Sequence, residues 1–95
     1  MVRITAMAIG AALAFTTGAA WAADVIKANN ANALNLGTSW TSGTAPTTAD
    51  VAVWNNTVTA ANSVALGSDL SWQGIRLQSP GGKVTITGAA NTLTL

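Results

Sequence analysis

Large apolar side chains recur at every second position in short runs along most of this chain. Val51 and Val53 share one parity, as do Val64 and Leu66, Leu70 and Trp72, Ile75 and Leu77, Val84 and Ile86, and Leu93 and Leu95. Period two marks a half-buried strand, because successive side chains point to opposite faces. The residues between are Ala, Ser, Arg and Thr, which tolerate water, so the pattern predicts that they face outward. Trp54 breaks the Val51/Val53 parity, which predicts an outward ring. No stretch after residue 22 carries convincing apolar spacing at i, i+3, i+4 and i+7, and Thr, Asn, Gly and Ser are poor helix formers. The expected class is all-β.

Turn residues punctuate these runs. Ser42 to Pro46, Asn55-Asn56-Thr57 and Ala60 to Ser63 read as turns. Ser79-Pro80-Gly81-Gly82 places Pro and Gly where a type II turn needs them, predicting positive φ at Gly81. Between Trp72 and Ile75 the inward parity changes from even to odd at Gln73-Gly74, as a bulge or corner would require. Two recurrences suggest a coil with rungs of about 20 residues: Val64-Ala65-Leu66 returns as Val84-Thr85-Ile86, and Ile75-Arg76-Leu77 as Leu93-Thr94-Leu95. The alternative is a small β-sandwich of similar strands. Leu93 to Leu95 closes the sequence inside an alternating run, and small domains bury only roughly 60% of their unfolded surface. A truncated repeat region is therefore expected over residues 40–95, preceded by a lead-in or cap over 23–39.

The N-terminus follows different rules. Arg3 precedes a charge-free run from Ile4 to Ala23, apolar through Phe15 and broken by Thr16-Thr17-Gly18. Ala20-Trp21-Ala22 then offers small side chains at the −3 and −1 positions of a signal peptidase site, with Ala23 as the first mature residue. Residues 1–22 are thus expected to be a cleaved signal helix handled by the export machinery. The absence of a basic stop-transfer cluster weighs against a permanent anchor.

Composition narrows the chemistry. Among 95 residues there are four Lys or Arg and three Asp, giving a net charge of +1, with no His, Cys or Tyr and no Glu. Cys or His metal sites, disulfides, Ser-His or Cys-His nucleophile pairs and a two-Glu acid/base pair are excluded for want of residues. No basic stripe exists to bind nucleic acid. No cofactor is expected.

The run Trp40-Thr-Ser-Gly43-Thr-Ala-Pro46, then Asp50-Val-Ala-Val-Trp54, then Leu66-Gly67-Ser-Asp69-Leu-Ser-Trp72-Gln-Gly74-Ile75, resembles the start of bacterial passenger proteins built from autotransporter-associated β-strand repeats. Gly82-Lys-Val84-Thr-Ile86-Thr-Gly88 and Asn91-Thr-Leu93-Thr-Leu95 are similar to that family's repeated unit. The resemblance implies a right-handed parallel β-helix, exported to the surface or surroundings of a Gram-negative cell. It further implies association with the outer membrane through a C-terminal barrel or sorting signal that these residues do not contain.

The function expected on these grounds is non-catalytic: an exported passenger or adhesin-like piece making structural or cell-surface contacts. Two alternatives use specific residues. Trp40, Trp54 and Trp72 are the aromatic residues after position 22, and an exposed row of them would bind glycans as a carbohydrate-binding module does; packing in the core or over an end is the competing role. A degraded polysaccharide-processing β-helix would pair Asp50 and Asp69 with Ca²⁺ and use Arg76 or Lys83 as the base. Two carboxylates are few for such a cage, and Asp before a strand more often bonds turn backbone.

Overall fold

The computed structural model describes residues 22–95; the expected signal helix and Ala20 of the cleavage motif lie outside them. The described residues form seven short strands, β1 (Ala23–Ile26), β2 (Asp50–Trp54), β3 (Asn62–Ala65), β4 (Leu70–Ser71), β5 (Gly74–Leu77), β6 (Val84–Thr87) and β7 (Leu93–Thr94), with one 3₁₀ turn at Gly37–Ser39. Every strand pair is parallel. One sheet has the order β1-β2-β5, a second holds β3 and β6, and a third holds β4 and β7. This is a stack of about three turns resembling a small β-solenoid. The sandwich alternative fails on this ground, since sandwiches are built from antiparallel strands.

Register corrects the expected repeat. Val51 pairs with Gly74, Asn62 with Val84, and Leu70 with Leu93, so these pairs advance by 22 or 23 residues, while the first, Ala23 with Asp50, advances by 27. The two recurrences noted in the sequence are not structural equivalents. Val64 stands beside Ile86 and Ile75 beside Ala52, while Leu93 belongs to a different sheet. Parity could not reveal this, because apolar alternation looks the same in all three sheets.

The core contains Leu34, Trp40, Ala52, Trp54, Val58, Val64, Leu66 and Trp72, with Val25, Leu70, Val84, Ile86 and Leu93 packed against it. The corner at Gln73-Gly74 behaves as expected: Trp72 is buried in the core, and Ile75 lies in register with the core residue Ala52. In β2 the expectation reverses. Ala52 and Trp54 face the interior, and Val51 and Val53 take the outward face. The reason lies in the neighbours. Val25 of β1 packs on the core in register with Ala52, and the short Ala52 side chain leaves the interior volume for indole rings.

Corners are tied by side chains and by close backbone approach. Asn55 accepts from the Thr57 amide through Oδ1, and its carbonyl accepts from the Val58 amide, closing the turn read from the sequence. The Pro80-Gly81 turn forms differently from the expectation: the positive φ falls on Ser79, at 55°, and not on Gly81. Gly81 and Gly82 instead lie directly on the backbone of Thr59 to Ala61 in the preceding turn, where a Cβ has no room.

Candidate functional site

The three tryptophans converge in the interior. Trp40 and Trp54 stand with ring centroids 5.7 Å apart at 75°, Trp40 and Trp72 at 5.7 Å and 88°, and Trp54 and Trp72 at 6.4 Å. Edge-to-face contacts of this kind suit the aromatic quadrupole. Their exposures are 2%, 0% and 2% for Trp40, Trp54 and Trp72. No ring presents a face to a sugar, so the glycan-stacking role of Trp40, Trp54 and Trp72, and the outward orientation of Trp54, are corrected to core packing. For Trp54 strand position explains it: β2 is the central strand of its sheet, so a ring on its inner face is covered from both sides. Trp40 Nε1 donates to the Leu34 carbonyl at 3.0 Å and Trp54 Nε1 to Asn62 Oδ1 at 2.9 Å. Trp72 Nε1 is buried without a partner.

The carboxylates hold turns and an ion pair. Asp50 Oδ2 accepts from the Thr47 amide at 2.7 Å and from Thr47 Oγ1 at 2.9 Å. Asp69 Oδ1 accepts from the Thr92 amide of the next turn at 2.9 Å. Both therefore bond turn backbone around the strands that follow them, and each has a different partner. Among the described residues no group of three metal-ligating side chains gathers.

Arg76 on β5 donates to both oxygens of Asp24 on β1, at 2.7 and 2.9 Å. Their strands flank β2, and both residues share the parity of Val51 and Val53, so the guanidinium and carboxylate bridge across β2 on its outward face. Val53 is fully buried beneath this face. The Arg76 hydrogen bonds hold the Asp24 carboxyl below the usual Asp range, and the same bonds raise the arginine. A lowered carboxyl pKa contributes stability above the unfolded value, near 3.9, that is lost as pH falls through the folded value. Acidification from about pH 5 to about pH 2 should accordingly lower the melting temperature more in the native chain than in Asp24→Asn. Both partners are exposed, so the difference should be small and should shrink in high salt; a salt-independent difference would contradict this assignment.

Lys27 was not singled out by the sequence. It is fully buried, and its Nζ donates to the Ala28 carbonyl at 2.9 Å, the Asn30 carbonyl at 2.8 Å and Asn30 Oδ1 at 3.0 Å. All three acceptors are neutral oxygens, and burial pushes the ammonium below the ordinary lysine range. Asn30 is the hub of a wider network. Its carbonyl also accepts from Asn62 Nδ2 at 2.9 Å, its Oδ1 from the Asn32 amide at 3.1 Å, and its Nδ2 donates to the Thr38 carbonyl at 3.0 Å. Through Asn62 this network reaches Trp54. The cluster of Asn around a lone Lys between residues 27 and 35 is the available signal, but its burial depends on the chain folding back so that Trp40 bridges Lys27.

The arrangement as a whole positions polar groups on one another, and no concave pocket occurs among the described residues. Comparison with protein families, characterised proteins and solved structures finds no match to this chain.

Proposed function

We propose that this chain is an exported, non-catalytic β-solenoid of the autotransporter-passenger kind, serving a structural or surface-contact role at a Gram-negative cell surface. The observation that carries this is the use made of its polar side chains. Asp50 and Asp69 bond turns, Asp24 and Arg76 bridge strands, and the buried Lys27 is enclosed by backbone and amide oxygens. Asp69 and the Asp24–Arg76 pair hold one turn on another while Asp50 and Lys27 fix local backbone, and groups so engaged fit a scaffold better than a reaction centre. The stacked parallel strands and the repeat-like run from Trp40 support the passenger character and a right-handed coil. Outward Ser63, Thr85 and Thr87 on the second sheet and Ser71 and Thr94 on the third supply polar surface that such a role uses.

Export is the part most directly testable. β1 begins at Ala23, the residue that cleavage after Ala22 makes the new N-terminus, so a cut there spares the whole ladder. N-terminal sequencing of protein recovered from outside the cytoplasm should read Ala-Asp-Val-Ile. An intact chain beginning at Met1 and retained in the inner membrane would overturn the export reading.

A further inference from the structure

The asparagine side chains divide by what their amide nitrogens do. Asn29, Asn30, Asn32 and Asn62 use Nδ2 inside the fold, donating to Thr59 Oγ1, the Thr38 carbonyl, Thr38 Oγ1 and the Asn30 carbonyl at 3.1, 3.0, 3.1 and 2.9 Å. Among the described residues, Asn35, Asn55, Asn56 and Asn91 donate to no partner through Nδ2. Two positions after these four stand Gly37, Thr57, Val58 and Leu93, so only Asn55 is followed by a hydroxyl at that spacing. A free carboxamide nitrogen and the Asn-x-Ser/Thr pattern that N-glycosyl transfer reads therefore coincide at Asn55-Asn56-Thr57 alone.

The turn after β2 fixes this carboxamide from one end. Asn55 Oδ1 accepts from the Thr57 amide at 2.9 Å and the Asn55 carbonyl from the Val58 amide at 3.0 Å, while Val58 is anchored in the core. With its oxygen engaged by the turn, the side chain has its two N–H donors left to offer. Asn55 is half-buried, Asn56 and Thr57 are exposed, and Thr57 Oγ1 has no partner among the described residues. The site lies on the side of the coil and not at an end. The Lys27 amide bonds the Val53 carbonyl on one neighbouring turn, and the Gln78 amide bonds the Trp54 carbonyl on the other. Both turn bonds of Asn55 fall within four residues, so the arrangement is available before the coil closes as well as after.

We propose that Asn55 is a glycan acceptor, taking onto Nδ2 a sugar whose anomeric carbon is activated by a diphosphate, with the Thr57 hydroxyl as the contact by which the transferase recognises the site. Nδ2 forms a bond to the anomeric carbon as the bond from that carbon to the diphosphate oxygen breaks. The electron pair of the broken bond leaves with the diphosphate, and one amide proton passes to a base of the transferase. Nothing is oxidised or reduced. Two donors share this chemistry: a sugar on a polyprenyl diphosphate, met during export, and a sugar on a nucleotide diphosphate, met before it. A sugar linked here stands on an exposed corner, where bulk meets solvent, and leaves the three indoles and the strand ladders untouched.

The test recovers the full chain from its source cells, in native form and as Asn55→Gln, Thr57→Ala, Thr57→Ser and Asn91→Gln. Intact mass, glycopeptide mapping and circular dichroism are measured on each. Native protein should carry one glycan, mapped to Asn55. Asn55→Gln should carry none, and Thr57→Ala should lose occupancy by at least about tenfold, because a site that reads a hydroxyl rejects a side chain lacking it. Thr57→Ser and Asn91→Gln should keep the glycan. Thr57→Ala retains the backbone amide that holds Asn55, so an unchanged strand spectrum assigns its loss to the missing hydroxyl; if Asn55→Gln fails to fold, the two Thr57 variants and the mapped native peptide decide. An unmodified native chain, a glycan on another residue or full occupancy in Thr57→Ala overturns the proposal. The N-terminus of the same molecules separates the donors. Glycan confined to chains beginning at Ala23 supports the lipid-linked sugar, and glycan on chains still beginning at Met1 supports the nucleotide-linked one. A chain beginning at Ala23 without glycan overturns this site and leaves the export reading standing, whereas glycan on chains that never begin at Ala23 does the reverse.

Discussion

Trp54→Ala should abolish cooperative unfolding of this coil. The ring is fully buried on the central strand, meets Trp40 and Trp72, and holds Asn62 through its indole N–H. Truncating a buried Trp to Ala typically costs about 3–5 kcal/mol, through lost burial and the cavity left behind. Single domains have only about 0.05–0.15 kcal/mol of stability per residue, so a loss of that size removes a large fraction of what a few stacked turns can hold. Trp54→Phe separates the two contributions. It keeps most of the apolar volume but leaves Asn62 Oδ1 buried without its donor, a cost of about 1–3 kcal/mol. Circular dichroism melts should show a lowered but cooperative transition for Trp54→Phe and a broad or absent one for Trp54→Ala. A Trp54→Ala melt within a few degrees of the native chain would mean that the three-indole cluster does not hold the turns together.

The second large effect is expected at the corner above residues 59–61. Gly81→Ala places a methyl against the Thr59 backbone, and Gly82→Ala places one against the Ala60-Ala61 backbone. Backbone atoms cannot rotate away as a side-chain tip can, so the turn itself must shift. The shift would strain the Gly81 amide bond to the Val58 carbonyl, 2.7 Å in the native corner. Overpacking of this kind costs about 1–3 kcal/mol at each site. The contrast is Gly74→Ala, where a Cβ meets no neighbour within 4 Å. Thermal melts should fall clearly for both corner variants and hardly for Gly74→Ala. Equal transitions for all three would show that the turns are not in contact at this corner.

These two sites also show how differently the fold was written into the chain. The glycines were visible at once, and the sequence pointed to a turn there. It pointed to the wrong cause, because a type II turn and a close crossing of two turns both call for Gly. Which one applies depends on whether another segment lies underneath. Trp54 is the same kind of case. Its parity against Val51 and Val53 predicts an outward ring as long as the aliphatic pair forms the core face. The Asp24–Arg76 bridge across β2, with Val53 buried on that side, makes both faces of the strand partly sheltered. A strand covered on both faces has no single apolar parity to read.

Local chemistry determined the strands, most of the turns and the corner at Gly74. Alternation, Asn and Gly placement and the lack of helix formers act within a few residues, and those rules hold wherever the segment sits. The absence of His, Cys and Glu likewise limited the chemistry without any fold. Tertiary structure alone decided the turn lengths of 27, 23 and 22 residues, the inward face of β2, the meeting of three indoles and the burial of Lys27. Each of these depends on contacts that the local pattern of residues does not encode. Period two states that faces alternate but not which face goes inward, and an isolated Lys beside Asn residues reads as a solvated loop until the chain folds back at Trp40 and covers it.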